Sequence, residues 1–453
     1  GWGGLASQSE TNIYWQPGDD YCGDPAQEQQ GLNSVYACDE STIAVIKTAT
    51  EAISKALLPE ARFVLEQNAG IFEGEGPHTI EVSLNAAREV EADFELEVST
   101  DFGEAVQTFS KSAELVKGPN GLAVDLGLEP GFYKAVLYIV RNGVRTELAR
   151  TNLGFDPEQI ISAQDKQPDF EEFWSNTLQE LASVAPEYKL IPLKEHSNDV
   201  REAFRVEMKS FGGETISGLL YMPVADGRYP AMISYMGYGS DVWYADPSSN
   251  PQMIEFMLCI RNQAFNRQPG EKDDWCARGI SDKNTYYYRG AFADAVRAID
   301  FVCSLDKTDT DRVFANGESQ GGALTFAAAS LDDRLKAIAP SAPFLCDYPD
   351  YFVLAGWPGD PIKAAAKEAG MSDEDMYKVL SYFDIKNFTD RIQCPVIMAI
   401  GLQDPVCPPH TNFAAYNHIK TEKSWICYPL SGHNVWQQEG WPVAKEDFFE
   451  KYL

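Results

Sequence analysis

The sequence predicts an α/β protein in which a doubly wound sheet is preceded by a small all-β sandwich. Three observations carry that expectation. First, Arg312-Val313-Phe314-Ala315 has the pattern of a short buried strand, the Ala, Leu and Phe run from Gly321 to Ser330 suits a packed helix, and Leu335 to Ala339 reads as the next strand. Second, the stretch from about 61 to 156 holds short alternating apolar and polar runs separated by turn residues, the signature of a small sandwich. Third, Gly317-Glu318-Ser319-Gln320-Gly321 falls between the first strand and the helix, where the chain must turn sharply.

Taken in chain order, residues 1–60 are the least legible. Ile46, Ala49, Ile53, Ala56 and Leu57 fit one helical face closed by Pro59, and Gly18 to Gly31 is polar and loop-like. The expected sandwich, 61–157, contains Thr79 to Leu84, Phe94 to Val98, Leu122 to Leu126 and Tyr133 to Val140 as strands. Gly118-Pro119-Asn120-Gly121, Glu129-Pro130-Gly131 and Arg141-Asn142-Gly143 are expected turns. No exposed aromatic platform can be assigned there, so packing or oligomerisation is favoured over sugar binding for this region. The remaining domain is 158–453. Within it Phe292, Ala295, Val296, Ile299, Val302 and Cys303 form an apolar helical stripe that should pack on the sheet as core.

A pentapeptide with serine between glycines is common, but here its flanks make it a candidate nucleophile elbow, with the serine oxygen exposed on a tight strand-to-helix turn. An uncharged hydroxyl is a poor nucleophile near neutral pH, so Ser319 needs a base within hydrogen-bond reach and an acid to orient that base. Downstream, Pro395 to Ile400 reads as a strand, and the Gly401 to Pro409 loop after it carries Asp404. Ser424 to Tyr428 is another strand, leading through Pro429-Leu430-Ser431-Gly432 to His433. The order serine, aspartate, histidine is that of an α/β-hydrolase, whose three groups project from loops at the carboxyl ends of parallel strands. The bland readings are a polar loop residue for His433 and a turn-forming aspartate before proline for Asp404, with Asp384 and Asp390 as its nearest substitutes. Among the five histidines, His410 and His418 fall in a helix-like stretch and read as solvated or partly packed.

On these residues the chain resembles a branch of the α/β-hydrolases, the carbohydrate esterases that include acetyl xylan esterase and cephalosporin C deacetylase. Segments carrying the resemblance are Gln167 to Trp174, Ile216 to Pro223, Tyr286 to Gly290, Gly317 to Gly322, Gly401 to Pro409 and Gly432-His433, spanning about 158 to 453. The resemblance implies Ser319 as nucleophile, His433 as general base and acid, and Asp404 as the group holding the imidazole. It also implies an oxyanion hole made by the backbone N–H groups of Gln320 and of Tyr235, in the Ile233 to Gly239 segment. Two such donors would each be worth on the order of 3 kcal/mol.

Two departures stand out. Relatives carry arginine-glycine-glutamine where this chain has Arg261-Asn262-Gln263, so local backbone geometry is expected to change; and Asn434, not an acidic residue, follows His433.

The implied activity is hydrolysis of O-acetyl esters on xylan or xylo-oligosaccharides, with other small acetyl esters as further candidate substrates, and without metal or cofactor. A serine peptidase or other acyl hydrolase on the same fold, and a catalytically inactive sugar-binding protein, stand as alternatives. Residues 347–390 could form a lid or a surface insertion, and Trp357 there and Trp243 in the oxyanion segment are candidate sugar-stacking residues against the commoner core role.

Composition bounds the rest. Of the 453 residues, 37 are basic and 68 acidic, a formal charge of −31, which argues against nucleic acid and anionic membranes as partners. The partner expected is an acetylated carbohydrate, with a homo-oligomer implied by the resemblance. No run of about 18 apolar residues suggests a membrane span. Export to the periplasm or beyond, with a signal removed upstream, is the expectation, and a cytoplasmic site is the alternative. The nine cysteines lack the short paired spacing of zinc sites; Cys22 and Cys38 are near enough in sequence to bridge, and Cys303, Cys346, Cys394, Cys407 and Cys427 read as buried thiols.

Overall fold

A computed structural model of the protein describes residues 58–453 other than Gln67 and Asn142, together with Ala44, Val45 and Thr48. The expected helix around Ile46 to Leu57 and the Cys22–Cys38 pairing lie outside the described residues.

Eight strands come first: β1 (Glu60–Phe63), β2 (Ile71–Phe72), β3 (His78–Ala86), β4 (Val90–Thr100), β5 (Ala105–Leu115), β6 (Gly118–Leu126), β7 (Gly131–Arg141) and β8 (Val144–Phe155). They form sheets of three strands, β1-β3-β6, and of five, β2-β8-β7-β4-β5. Alternate residues of β3 and β4 are buried, with Ile80, Val82, Leu84, Phe94, Leu96 and Val98 inward, as the alternation in sequence requires. One expectation fails. Gly118 to Gly121 is the first part of β6 and not a turn; the chain reverses just before it, where Asn120 Nδ2 donates to the carbonyls of Val116 and Gly118 at 2.9 and 2.8 Å.

The described residues divide into two compact units, one taking in Ser83–Ala92 and Ala113–Gly121, the other Arg62–Val82, Asp93–Ser112 and Leu122–Leu453. The second unit holds the nine-stranded sheet. Its strands are β9 (Lys189–Pro192), β10 (Arg201–Lys209), β11 (Thr215–Pro223), β12 (Tyr229–Tyr235), β13 (Ile254–Cys259), β14 (Thr308–Glu318), β15 (Ala337–Ser341), β16 (Val396–Gly401) and β17 (Lys423–Tyr428). Their order is β17-β16-β15-β14-β12-β13-β11-β10-β9. From β13 through β12 to β17 every pairing is parallel, whereas β9, β10 and β11 pair antiparallel. After β12 the chain first adds β13 on one side and then crosses to add β14 on the other. A switch point of this kind leaves a crevice beyond the strand ends, the usual binding position in such sheets.

Two helices cover the strands nearest the switch: α2 (Tyr287–Ser304) and α3 (Gln320–Leu331), with α1 (Phe170–Ser183) packing beside α2. Every residue of β16 and every residue of α3 is buried. Each fully buried Val, Leu or Ile in such a layer contributes roughly 1.5–3 kcal/mol, which is why these strands read as unbroken apolar runs. Trp174 of α1 is wholly buried, and its Nε1 donates to the Tyr382 carbonyl at 2.9 Å.

Residues 347–390 hold three helices, α4 (Tyr348–Leu354), α5 (Gly359–Glu368) and α6 (Asp373–Leu380), with a break between the last two. Gly370, at φ +75°, lies in the break, and the Ser372 side chain accepts from Asp375 N at 3.1 Å to start α6. Two more helices follow, α7 (Pro409–Tyr416) and α8 (Gly440–Glu450). No helix among the described residues is long and apolar enough to cross a membrane.

Candidate active site

Parallel register decides which residues meet at the crevice. Tyr235 at the end of β12 lies opposite Gly317 of β14, Glu318 opposite Ser341 of β15, and Gly401 of β16 opposite Tyr428 of β17. The loops carrying Ser319, Asp404 and His433 therefore leave the same edge of one sheet.

Ser319 stands between β14 and α3 at φ 57°, ψ −119°. A side chain at positive φ costs of order 1–3 kcal/mol and persists only when its surroundings fix it. Here its N–H donates to the Ser341 carbonyl at 3.0 Å, while its carbonyl accepts from Phe344 N at 3.0 Å and from Ala323 N at 3.1 Å. The flanking glycines are required by contact: a Cβ on Gly321 would strike the Tyr235 carbonyl oxygen, and one on Gly317 would strike the carbonyl of Gly321. Gln320 is the first residue of α3, so its N–H is among the four that a helix leaves without an intrahelical partner, beside the serine.

Asp404 is almost fully buried, and both carboxylate oxygens are engaged. Oδ1 accepts from Val406 N at 2.8 Å and Cys407 N at 2.9 Å, and Oδ2 lies 2.8 Å from His433 Nδ1. That contact fixes the ring and leaves Nε2 for other partners. Burial alone would lower the His433 pKa, but the hydrogen bond to Asp404, the charge of that carboxylate and that of Glu318 outweigh it, and the net shift is upward. The substitutes for Asp404 are committed elsewhere. Asp384 accepts from the amides of Asp347, Tyr348 and Lys386, and Asp390 pairs with Lys166 at 2.9 Å. His410 sits 3.0 Å from Asp101, and His418 Nε2 lies 2.7 Å from the Ser162 carbonyl.

A cavity of about 830 Å³ opens over these groups, with Ser319, His433 and Tyr235 among its lining. Trp243 and Trp357 line it too, 53% and 39% exposed, so both sit at the cavity and neither is a core residue. Trp357 is braced by a stack on Phe344, centroids 5.3 Å apart and planes within 17°. Sequence reading missed three further lining residues: Trp436, 60% exposed, and the pair Glu318 and Lys445. Trp436 lies three residues past His433, a signal that was available. Burial raises the Glu318 carboxyl to about 7, the Asp404 charge adding to the rise, while the charges of His433 and Lys445 oppose it.

Asn262 takes φ +64°, the left-handed conformation that glycine adopts most easily and asparagine tolerates. Arg261 donates to the buried Asp294 from Nε at 2.9 Å and Nη2 at 2.7 Å. Gln263 Oε1 accepts from Gly239 N at 2.9 Å, and its Nε2 donates to Gln320 Oε1 at 3.2 Å. One glutamine thus ties the loop after β12 to the start of α3, the two segments expected to supply oxyanion donors. Asn434 Nδ2 donates to Gln437 Oε1 at 2.9 Å, a local contact within the histidine loop.

Sheet order, switch point and elbow define an α/β-hydrolase. Residues 158–441 match the family described as "Acetyl xylan esterase (AXE1)", and the chain belongs to that family, which makes it a carboxylic ester hydrolase. Acetyl esterase Axe7A of Xylanibacter ruminicola is 26% identical over 360 residues, covering 75% of this chain and 79% of the relative. Among solved structures, the acetyl xylan esterase from Paenibacillus sp. R4 is 30% identical with a TM-score of 0.61, covering 66% of this chain and 98% of its own. Acetyl xylan esterase 1 from Thermoanaerobacterium sp. JW/SL YS485 is 27% identical, TM-score 0.60, with 65% and 97% covered. Residues 1–57 match a model described as "GH family 5 beta-mannosidase-like".

Proposed function

We propose that this chain removes O-acetyl groups from xylan fragments through an acetyl-enzyme on Ser319. His433 takes the hydroxyl proton as the serine oxygen attacks the acetyl carbonyl, and the amides of Tyr235 and Gln320 hold the oxyanion. The imidazolium then gives its proton to the departing sugar oxygen. Water attacks the acetyl-serine by the same route, releasing acetate and restoring the serine. Asp404 holds the imidazole in the tautomer that presents Nε2 as a base. The observation that carries this reading is the 2.8 Å contact between His433 Nδ1 and an Asp404 carboxylate whose other oxygen is pinned by two amides, on strand ends beside the elbow.

Family membership and the names of the relatives support acetylated xylan as substrate. The match of residues 1–57 favours a second one, an acetylated mannan, for the same chemistry. Acetate release from acetylated xylo-oligosaccharides and manno-oligosaccharides, compared with peptide amides, separates these readings: the sugar esters should turn over and the amides should not. Exclusive hydrolysis of amides would replace the esterase reading with the peptidase one.

A further inference from the structure

The loop bearing Asp404 is clamped from outside the nine-stranded sheet. Gln403, the residue before it, is bonded to two other pieces of chain. Its Oε1 accepts from Asn152 N at 2.9 Å, and its Nε2 donates to Thr151 Oγ1 at 3.1 Å, to the Asn152 carbonyl at 3.4 Å and to the Pro429 carbonyl at 2.9 Å. Asn152 returns the contact, its Nδ2 donating to the Leu402 carbonyl at 3.0 Å. Thr151 and Asn152 belong to β8, and Pro429 opens the loop that ends in His433. The Gln403 amide nitrogen meanwhile donates to the Ser431 carbonyl at 2.9 Å. One side chain therefore joins the acid loop, the histidine loop and a strand at the end of the N-terminal β-rich region.

We propose that Gln403 is a positioning residue, and that β8 through Thr151 and Asn152 is a working part of the catalytic apparatus. Asp404 orients His433 only while their loops keep a fixed separation. Within the pair of loops, the contacts of Gln403 with Pro429 and Ser431, and of Leu402 N with the Tyr428 carbonyl at 3.1 Å, set that separation. The strand supplies an anchor that neither loop can supply to the other, because its backbone is fixed by pairing with β7, Ala135↔Thr151 and Lys134↔Asn152. The solved acetyl xylan esterases are covered almost completely while matching only about two thirds of this chain, 98% against 66% and 97% against 65%. Residues 158–441 match the family, so Thr151 and Asn152 clamp the acid loop from outside the matched segment. The clamp also gives the N-terminal strands a role that needs no sugar platform.

This inference rests on the Ser319, His433 and Asp404 reading, and the test keeps the two apart. Full-length parent, Gln403→Met, Asp404→Asn and the double variant are assayed for kcat, KM and the pH dependence of kcat/KM on an aryl acetate, with thermal unfolding alongside. Methionine keeps the volume of glutamine and removes its hydrogen bonds. Gln403→Met should lower kcat about tenfold to a hundredfold, the scale of a misplaced catalytic group, leave KM within about twofold, and move the acidic limb of the profile down. In the Asp404→Asn background the same substitution should cost little more, since the group it positions is already gone. Asn152→Leu, which breaks the clamp from the strand side, should reproduce the kcat loss if Gln403→Met does not unfold cooperatively. If Asp404→Asn is crippled while Gln403→Met and Asn152→Leu keep the parent's kcat and pH profile, the positioning role is wrong and the triad stands. An equal loss from Gln403→Met in both backgrounds likewise overturns it. Full activity in Asp404→Asn would overturn the triad reading itself.

Discussion

The parallel half of the nine-stranded sheet and the N-terminal strands β3 to β8 are built from similar β-formers, yet their burial differs. β16 is buried at every position, whereas β3 and β4 alternate and β5 is exposed along nearly its whole length. A strand covered on both faces has no polar side to spend on chemistry, so reactive groups can appear only where the strand ends. That is where Ser319, Asp404 and His433 stand. The strands β3, β4 and β5 keep polar residues along their length. The clamp at Gln403 is the point where the two kinds of strand touch the same chemistry.

Substitutions at the strand ends should separate the two regions most sharply. Ser319→Ala should lower acetate release by about ten-thousandfold or more while leaving thermal unfolding close to the parent; activity within tenfold of the parent would remove the serine from its role. Gly321→Ala is next, since its Cβ meets the Tyr235 carbonyl within the elbow. It should cost roughly 1–3 kcal/mol of stability and most of the activity, measured by denaturant unfolding and aryl acetate turnover. A silent Gly321→Ala would mean the elbow is looser than the contacts indicate.

The pH profile sharpens the comparison further. A base acts when neutral, so kcat/KM should rise with pH through a His433 pKa lying above the ordinary imidazole value. The Glu318 charge contributes to that rise, so Glu318→Gln should lower the His433 pKa and carry the acidic limb to lower pH. A limb that stays put or moves up would show that Glu318 does not reach the imidazole. The smallest effect belongs to the aromatic rim. Trp436→Ala should raise KM for acetylated oligosaccharides about fivefold, near the scale of a single aromatic contact, and leave KM for a small aryl acetate unchanged. Equal effects on both substrates would make Trp436 structural.

Much of the catalytic half was legible because its signals reinforce one another. The strands ending at Glu318, Gly401 and Tyr428 contain the apolar stretches Val313 to Ala315, Val396 to Ile400 and Trp425 to Cys427, and each is followed by a loop with one candidate side chain. Less could be read where burial leaves no pattern. β5 is exposed on both faces, so its residues carry no alternation; β8 is buried only toward its end, where Leu153 to Phe155 enter the core. The reversal before β6 was mistaken for a turn one step later because Gly118, Pro119, Asn120 and Gly121 all favour turns, while Asn120 in fact folds back onto Val116 and Gly118. The break at Gly370 and Ser372 could have been found from a glycine stop and a serine cap. Gln403 could not, because nothing in the sequence pairs it with Thr151 and Asn152, some 250 positions away.

Labelling with a serine-directed organophosphate, followed by peptide mass mapping, tests the central claim most directly. The account predicts one phosphoryl group, on the peptide containing Ser319, with esterase activity lost in proportion to labelling. Complete labelling of that peptide with activity intact, or full inactivation with the label on another residue, would contradict it.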